Sequence, residues 1–237
     1  MESIRLLIGW DDREAVGSHV FLQSVIERCS LPLEVTILTP RLLDQLGIGT
    51  DGSNAFTKAR FLAPYLNRFS GYVLFVDGAD MLCLGDLAEV WALQDHYSAV
   101  QVVQHDYKPQ SAKKYIGTDL ESDNVAYPRK NWSSMILWHC GFAAHRILTP
   151  EYINKMPGQD LHRFNWIPND RIGWLPKEWN VLIGEDNQSN KVKLAHYTNG
   201  IVGFSHYKDA ECAKDWREAW LSMNKGLQYQ ITEHSGR

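Results

Sequence analysis

Apolar residues in the first third of the chain come in short unbroken runs, each followed by apolar positions at helical spacing. Residues 4–8 form a β-favouring run. After Gly9-Trp10-Asp11-Asp12, the positions of Val16, Val20, Phe21 and Val25 predict a helix. A second run, residues 33–38, ends at Pro40, and the Gly/Asp/Ser-rich residues 47–54 read as a loop. The chain therefore opens as β-α-β. Residues 56–66 read as a helix that Pro64 constrains, and residues 72–76 as a strand buried on both faces, stopping abruptly at Asp77.

A further apolar stretch covers residues 81–84, and Asp86 is placed to cap a short helix with Leu87, Val90 and Trp91 on one side. Residues 99–103 and 133–138 read as strands. The polar stretch between them, residues 107–130, holds five lysines and arginines and two prolines and is long enough for a functional loop. Thr149-Pro150-Glu151 has the cap, proline and first-turn acid of a helix start, and residues 208–223 read as an amphipathic terminal helix. There is no internal repeat or low-complexity linker, so residues 1–237 read as one Rossmann-like domain. Strands alternating with helices predict an α/β fold: a mixed, mostly parallel sheet flanked by helices. Ligands of such sheets lie beyond the carboxyl ends of the strands, which brings Trp10-Asp11-Asp12 and Asp77-Gly78-Ala79-Asp80 to one edge.

The composition narrows the class. With 44% hydrophobic and 22% charged residues the chain is globular rather than disordered, collagen-like or a coiled coil. Lys and Arg number 24 against 28 Asp and Glu, a net charge of −4 that offers no basic field for nucleic acid. Four scattered cysteines, none in a C-x-x-C pair, read as reduced and buried. No leader-like N-terminus or transmembrane segment is evident, so a cytoplasmic location is the expectation.

Two carboxylates on one tight turn repel each other unless a cation lies between them, although Asp-Gly is also an ordinary turn dipeptide. The surroundings favour the cation. Residues 61–66, the strand ending Val76-Asp77-Gly78-Ala79-Asp80-Met81-Leu82, and Gly85-Asp86-Leu87-Ala88-Glu89-Val90-Trp91 together resemble the central segment of the family 8 glycosyltransferases. Here two residues rather than one separate the acids, which leaves open which acid takes which ligand place; Asp80 is favoured. Leu175-Pro176-Lys177-Glu178-Trp179-Asn180 and Lys193-Leu194-Ala195-His196-Tyr197-Thr198-Asn199-Gly200 extend the likeness.

That resemblance implies a GT-A-type fold and a metal held by Asp77, Asp80 and His196. It also implies a nucleotide held by Trp10, Asp11 and Asp12, with Arg60, Asp77 and Gly200 near the donor. Asn131 would contact donor sugar or acceptor, and Asp170 would lie near the reacting carbon. The family's lysine after the glycine is missing, its place taken by Ile201-Val202-Gly203-Phe204. Carboxylate oxygens with one imidazole suit Mn²⁺ or Mg²⁺, a Lewis acid for a departing nucleoside diphosphate.

The implied activity is retaining transfer of a hexose from UDP-glucose or UDP-galactose to an unidentified acceptor, a saccharide among the candidates. A metal-dependent nucleotide-sugar or phosphoester hydrolase, and a non-catalytic sugar-binding protein on a degenerate transferase scaffold, are the alternatives. Residues 107–130 would close over the donor, although acids at 119, 121 and 123 also allow Lys113-Lys114 and Arg129-Lys130 to be plain solvated charges. Trp10, Trp166 and Trp174 are expected at a ligand, Trp91, Trp138 and Trp220 in the core, and His105 and His139 are weaker site candidates.

Overall fold

The computed structural model describes residues 2–49, 56–106, 108–186 and 191–225. The loop expected over residues 47–54 lies mostly outside the described residues, as does Tyr107. In chain order the strands are β1 (Ile4–Gly9), β2 (Leu33–Leu38), β3 (Tyr72–Val76), β4 (Met81–Cys83), β5 (Val100–Val102) and β6 (Lys113–Lys114), then β7 (Ser122–Asp123), β8 (Met135–His139), β9 (Ile172–Trp174), β10 (Val181–Leu182) and β11 (Leu194–His196). The α-helices are α1 (Ala15–Ile26), α2 (Pro40–Gln45), α3 (Ala63–Leu66), α4 (Leu87–Trp91), α5 (Pro150–Lys155), α6 (Gly158–His162) and α7 (Ala213–Met223). None of the described helices is long and apolar enough to cross a membrane.

The main sheet has the order β2-β1-β3-β8-β5-β9. Pairings β1–β2, β1–β3 and β5–β9 are parallel, whereas β8 runs antiparallel to both β3 and β5. The sheet is mixed and mostly parallel, as expected. Alternation along β1 and β3 divides the core. Leu7, Val73 and Phe75 face a cluster with Phe61, Trp138 and Phe164, while Leu6, Ile8, Leu74 and Val76 face Phe21, Val25 and Trp179.

A smaller sheet, β10-β11-β4, was not expected. It pairs His196 with Met81, and the Tyr197 amide donates to the Asp80 carbonyl at 2.8 Å. The last strand is thereby pinned beside the acidic turn. Helix α7 covers this sheet through Ala213, Trp216 and Ala219, packed with Leu82, Ala195 and Tyr197.

Local chemistry sets several boundaries. Asp86 accepts from the Ala88 amide at 2.9 Å and caps α4, and Thr149 caps α5 ahead of Pro150. Residues 56–66 are not one helix: a 3₁₀ turn over Ala59–Leu62 leads into the single turn of α3, with Pro64 in its first positions. Strand β8 starts at Met135, because Trp132–Ser134 form a 3₁₀ turn after the left-handed Asn131. Helix α7 starts at Ala213, with Cys212 left-handed before it, rather than at residue 208. On α7 Ala213, Trp216 and Ala219 are buried, and Trp220 is 41% exposed instead of in the core. Trp91 and Trp138 are buried as expected, and Trp166 joins the core through Phe61, Trp138 and Phe164. All four cysteines are free; Cys83 and Cys140 are buried, Cys29 and Cys212 half-buried.

Candidate active site

Strand β3 ends in the core, so the next residue, Asp77, begins inside the protein. Its amide donates to the Ser134 carbonyl at 2.9 Å, continuing the β3–β8 pairing. The turn then reverses through Gly78 at φ +76°, where a Cβ would lie 2.4 Å from the Ile8 side chain, so this position requires glycine. Helix α1 presses on the same turn, since a Cβ on Gly17 would meet the Ala79 carbonyl at 1.9 Å. The acidic turn is thus held from three sides.

Asp77, Asp80 and His196 each offer one ligand atom, and the three atoms lie within 4.8 Å of one another. Arg60, itself buried, places Nη1 2.8 Å from Asp77 Oδ1 and donates from the same nitrogen to the Ser133 carbonyl at 2.9 Å. Burial nevertheless pushes the Asp77 carboxyl up to about 7, against the field of Arg60 and with that of Asp80. Burial also works upward on Asp80, but His196 outweighs it through its charge and its hydrogen bond, Nε2 to Oδ2 at 3.2 Å, and holds Asp80 below the usual range. Asp80 Oδ1 is buried and has no hydrogen-bond partner among the described residues. A buried carboxylate oxygen left unsatisfied beside a second carboxylate and an imidazole is the donor set of a hard divalent cation, so these residues fit a Mn²⁺ or Mg²⁺ ion.

The imidazole is oriented from behind. His196 Nδ1 lies 2.8 Å from Asn180 Oδ1, a contact that holds the ring with Nε2 facing the acids, where its lone pair becomes available once a cation displaces the proton shared with Asp80. Asn180 is fully buried, and its Nδ2 donates to Ser134 Oγ at 2.8 Å and to the Asn131 carbonyl at 3.3 Å.

A cavity of about 100 Å³ opens onto the cluster. Residues 108–131 cross it as a strap carrying the β6–β7 hairpin. Buried Tyr115 puts its hydroxyl 3.5 Å from Asp80 Oδ2 and hydrogen-bonds Glu14. The strap is fastened by the Tyr115 amide to the Asn199 carbonyl at 2.6 Å, by the Ile116 amide to the Tyr207 hydroxyl at 2.9 Å, and by the Gln110 amide to Glu185 at 2.7 Å.

The other expected site residues are distributed unevenly. Asn131 lines the cavity. Trp10, Asp11 and Asp12 do not: Trp10 Nε1 donates to Asp12 Oδ1 at 2.7 Å, and Asp11 holds Arg13 through two bonds of 2.9 and 2.6 Å. Gly200, at φ +145°, lines a separate cavity of about 360 Å³ with Lys113, Ile116 and Tyr207. Asp170 is exposed on the turn before β9, 3.8 Å from Arg171 and away from the cluster. Trp174 is 69% exposed, and neither His105 nor His139 lines the cavity.

Three residues without an assigned role do line it or support it. Glu14 is buried, and burial with the nearby Asp80 charge pushes its carboxyl up to about 8. His162, from the end of α6, meets Ser133 Oγ at 2.6 Å; burial and Arg60 push its imidazole down to about 3, so it is neutral. Asn180 closes the motif 175–180 and was visible there; Glu14 follows the first acidic loop by two residues, and nothing in the pattern marks His162.

A Rossmann-like mixed sheet with an acidic turn at the end of a central strand, faced by a histidine from a second small sheet, defines the GT-A glycosyltransferase fold. Solved structures bear this out. The bifunctional glycosyltransferase WbbM matches 92% of this chain and 49% of its own at TM-score 0.63 and 18% identity. GlyE of Streptococcus pneumoniae matches 93% of this chain and 61% of its own at TM-score 0.61 and 13% identity. The galactosyltransferase LgtC, solved with donor and acceptor sugar analogues, matches 97% of this chain and 98% of its own at TM-score 0.59 and 15% identity. The chain thus spans about half the length of WbbM and about three-fifths of GlyE, but nearly all of LgtC. No protein-family profile matches it. Protein CDI of Arabidopsis thaliana is 37% identical over 231 residues, covering 93% of this chain and 87% of that protein, and the chain belongs to its family.

Proposed function

We propose that this chain is a metal-dependent glycosyltransferase of the family 8 type. In this reading residues 1–237 form one domain that transfers a hexose, with retention, from UDP-glucose or UDP-galactose to an acceptor of the saccharide class. The observation that carries it is the buried Asp77–Asp80–His196 cluster with its unsatisfied Asp80 oxygen, placed where GT-A sheets bind donor. Likeness to transferases solved with sugar analogues supports the donor class. The four free cysteines support a reducing, cytoplasmic setting.

When bound by Asp77, Asp80 and His196, Mn²⁺ or Mg²⁺ supplies Lewis acidity to stabilise the departing diphosphate. Asn180 keeps the His196 lone pair aimed at that site. Arg60 balances the Asp77 charge and fixes the Ser133 backbone. Asn131, Ser133 and neutral His162 line the wall and offer hydrogen bonds to sugar hydroxyls. The present cavity of about 100 Å³ is below the roughly 300 Å³ at which small-ligand sites begin, so the strap lifts to admit donor and closes to exclude water. Asp170, Trp10, Asp11, Asp12 and Gly200 do not line this cavity and take part only if the donor extends to them.

Calorimetric titration with UDP-glucose and UDP-galactose, with Mn²⁺ and with chelator, tests this reading. Binding that needs Mn²⁺ and disappears in Asp80→Ala and His196→Ala is expected. Absence of binding to either sugar nucleotide would sink the UDP-hexose donor, and UDP release at full rate without acceptor would make the protein a hydrolase.

A further inference from the structure

Adjacent lysines on β6 have opposite fates. Lys113 Nζ pairs with Glu121 at 2.7 Å and its side chain lines the cavity that holds Gly200. Lys114 turns the other way and lines the acid cavity, its Nζ 5.6 Å from the centre of the Tyr115 ring. Among the described residues no carboxylate lies within ion-pair distance of Lys114. The neighbouring cations are committed elsewhere: Arg60 to Asp77, and Lys130 to Asn124 Oδ1 at 2.5 Å and the Val125 carbonyl at 2.7 Å.

The charge around the cluster makes that free ammonium informative. The carboxylates of Asp77 and Asp80 face the buried Arg60, and a divalent cation offsets the remainder. A diphosphate then adds negative charge with nothing to match it from β11, because Ile201 and Val202 after Gly200 are buried apolar residues. Lys114 is close enough for its charge to act on both Asp80 and Glu14.

We propose that Lys114 is the phosphate-binding cation of this site: with a nucleoside diphosphate beside Asp80, Lys114 Nζ donates to its diphosphate oxygens. This rests on the donor reading above and adds to it. Because Lys114 rides on the strap, closing the strap and neutralising the leaving diphosphate become one event. An ammonium on a flexible stem suits a group that must follow a moving loop.

The test is calorimetry on the full chain with Mn²⁺ alone, then with UDP and with GDP, in wild type, Lys114→Met, Lys114→Arg and Lys113→Met. Lys114→Met is expected to weaken diphosphate binding about ten- to hundredfold, the range of a charge-assisted hydrogen bond. Lys114→Arg should recover most of it, and Lys113→Met should match wild type. Mn²⁺ alone should bind Lys114→Met at least as tightly as wild type, since a repelling charge has gone. Wild-type binding of UDP or GDP with no loss in Lys114→Met overturns the Lys114 assignment alone. A parallel loss of Mn²⁺ binding in that variant also overturns it, by showing a structural role. Wild type binding neither nucleotide overturns the donor reading itself.

Discussion

Two acidic loops leave the same edge of the main sheet, one after β1 and one after β3, and they reach opposite electrostatic ends. Asp11 is buried, but Arg13 takes both of its oxygens, and Asp12 takes the Trp10 indole. Asp77 and Asp80 are packed into the interior by Gly78 and α1, and Asp80 Oδ1 is left with no donor among the described residues. A carboxylate at a strand end is therefore not a ligand by position alone. The loop that can hold a cation is the one whose oxygens the protein has left unmatched.

The sharpest way to break this contrast is to remove one acid from each loop. Asp80→Asn is expected to weaken Mn²⁺ binding by more than about a hundredfold, beyond the effect typical of losing an outer-shell partner. Asp11→Asn should leave Mn²⁺ affinity within about twofold and cost about 1 kcal/mol of stability, because its partner Arg13 is half exposed. Manganese titration and thermal unfolding of both variants decide the matter. Loss of metal binding in Asp11→Asn with retention in Asp80→Asn would reverse the assignment of the two loops.

A smaller effect is expected one bond further out. Among the described residues the Asn180 side chain hydrogen-bonds His196, Ser134 and Asn131, so it acts by positioning. Asn180→Ala should reduce Mn²⁺ affinity about ten- to hundredfold although all three ligands remain. Asn180→Asp keeps the acceptor for His196 Nδ1 and should recover most of that loss, which a merely destabilised core would not do. If both variants lose metal equally while both stay folded, the orienting bond is not what matters.

The same contrast shows what the sequence could and could not disclose. The acidic turn was legible because five apolar residues stop at Asp77, and α4 because Asp86 caps it. His196 was legible through the motif around it. The antiparallel insertion of β8 was not, since residues 135–139 read alike in either direction. Glu14, His162 and Lys114 reach the cavity from the start of α1, from α6 and from the strap, and neither hydrophobic period nor spacing encodes such long-range contacts. Local signals also misplaced Trp166, which packs on Phe61 and Trp138, and Trp220, which is exposed on α7, because burial of a large ring depends on tertiary neighbours that spacing does not encode.

The smallest expected effect reads the unmatched charge directly, through pH. Burial raises Glu14 from 4.5 to about 8 and Asp77 from 3.8 to about 7. In that interval the folded protein keeps protons that the unfolded chain has released, so the unfolded state binds fewer and stability falls as pH rises. Below the ordinary histidine range the buried neutral His105, His145 and His162 work the other way, so the loss due to the two acids should show in the metal-free protein above it, through pH 7 to 8. Glu14→Gln removes one of the two groups, and at pH 8 it should recover about 1–2 kcal/mol of that loss, a modest share of the cost of a buried unpaired ion. Mn²⁺ requires the deprotonated carboxylates, so saturating metal should flatten the curve in wild type and its binding should release protons. Thermal unfolding at pH 7 and pH 8, above the ordinary histidine range and with and without Mn²⁺, measures all three. An apo curve already flat over that range would mean that the two acids are matched after all, and the difference between the two loops would then lie in geometry alone.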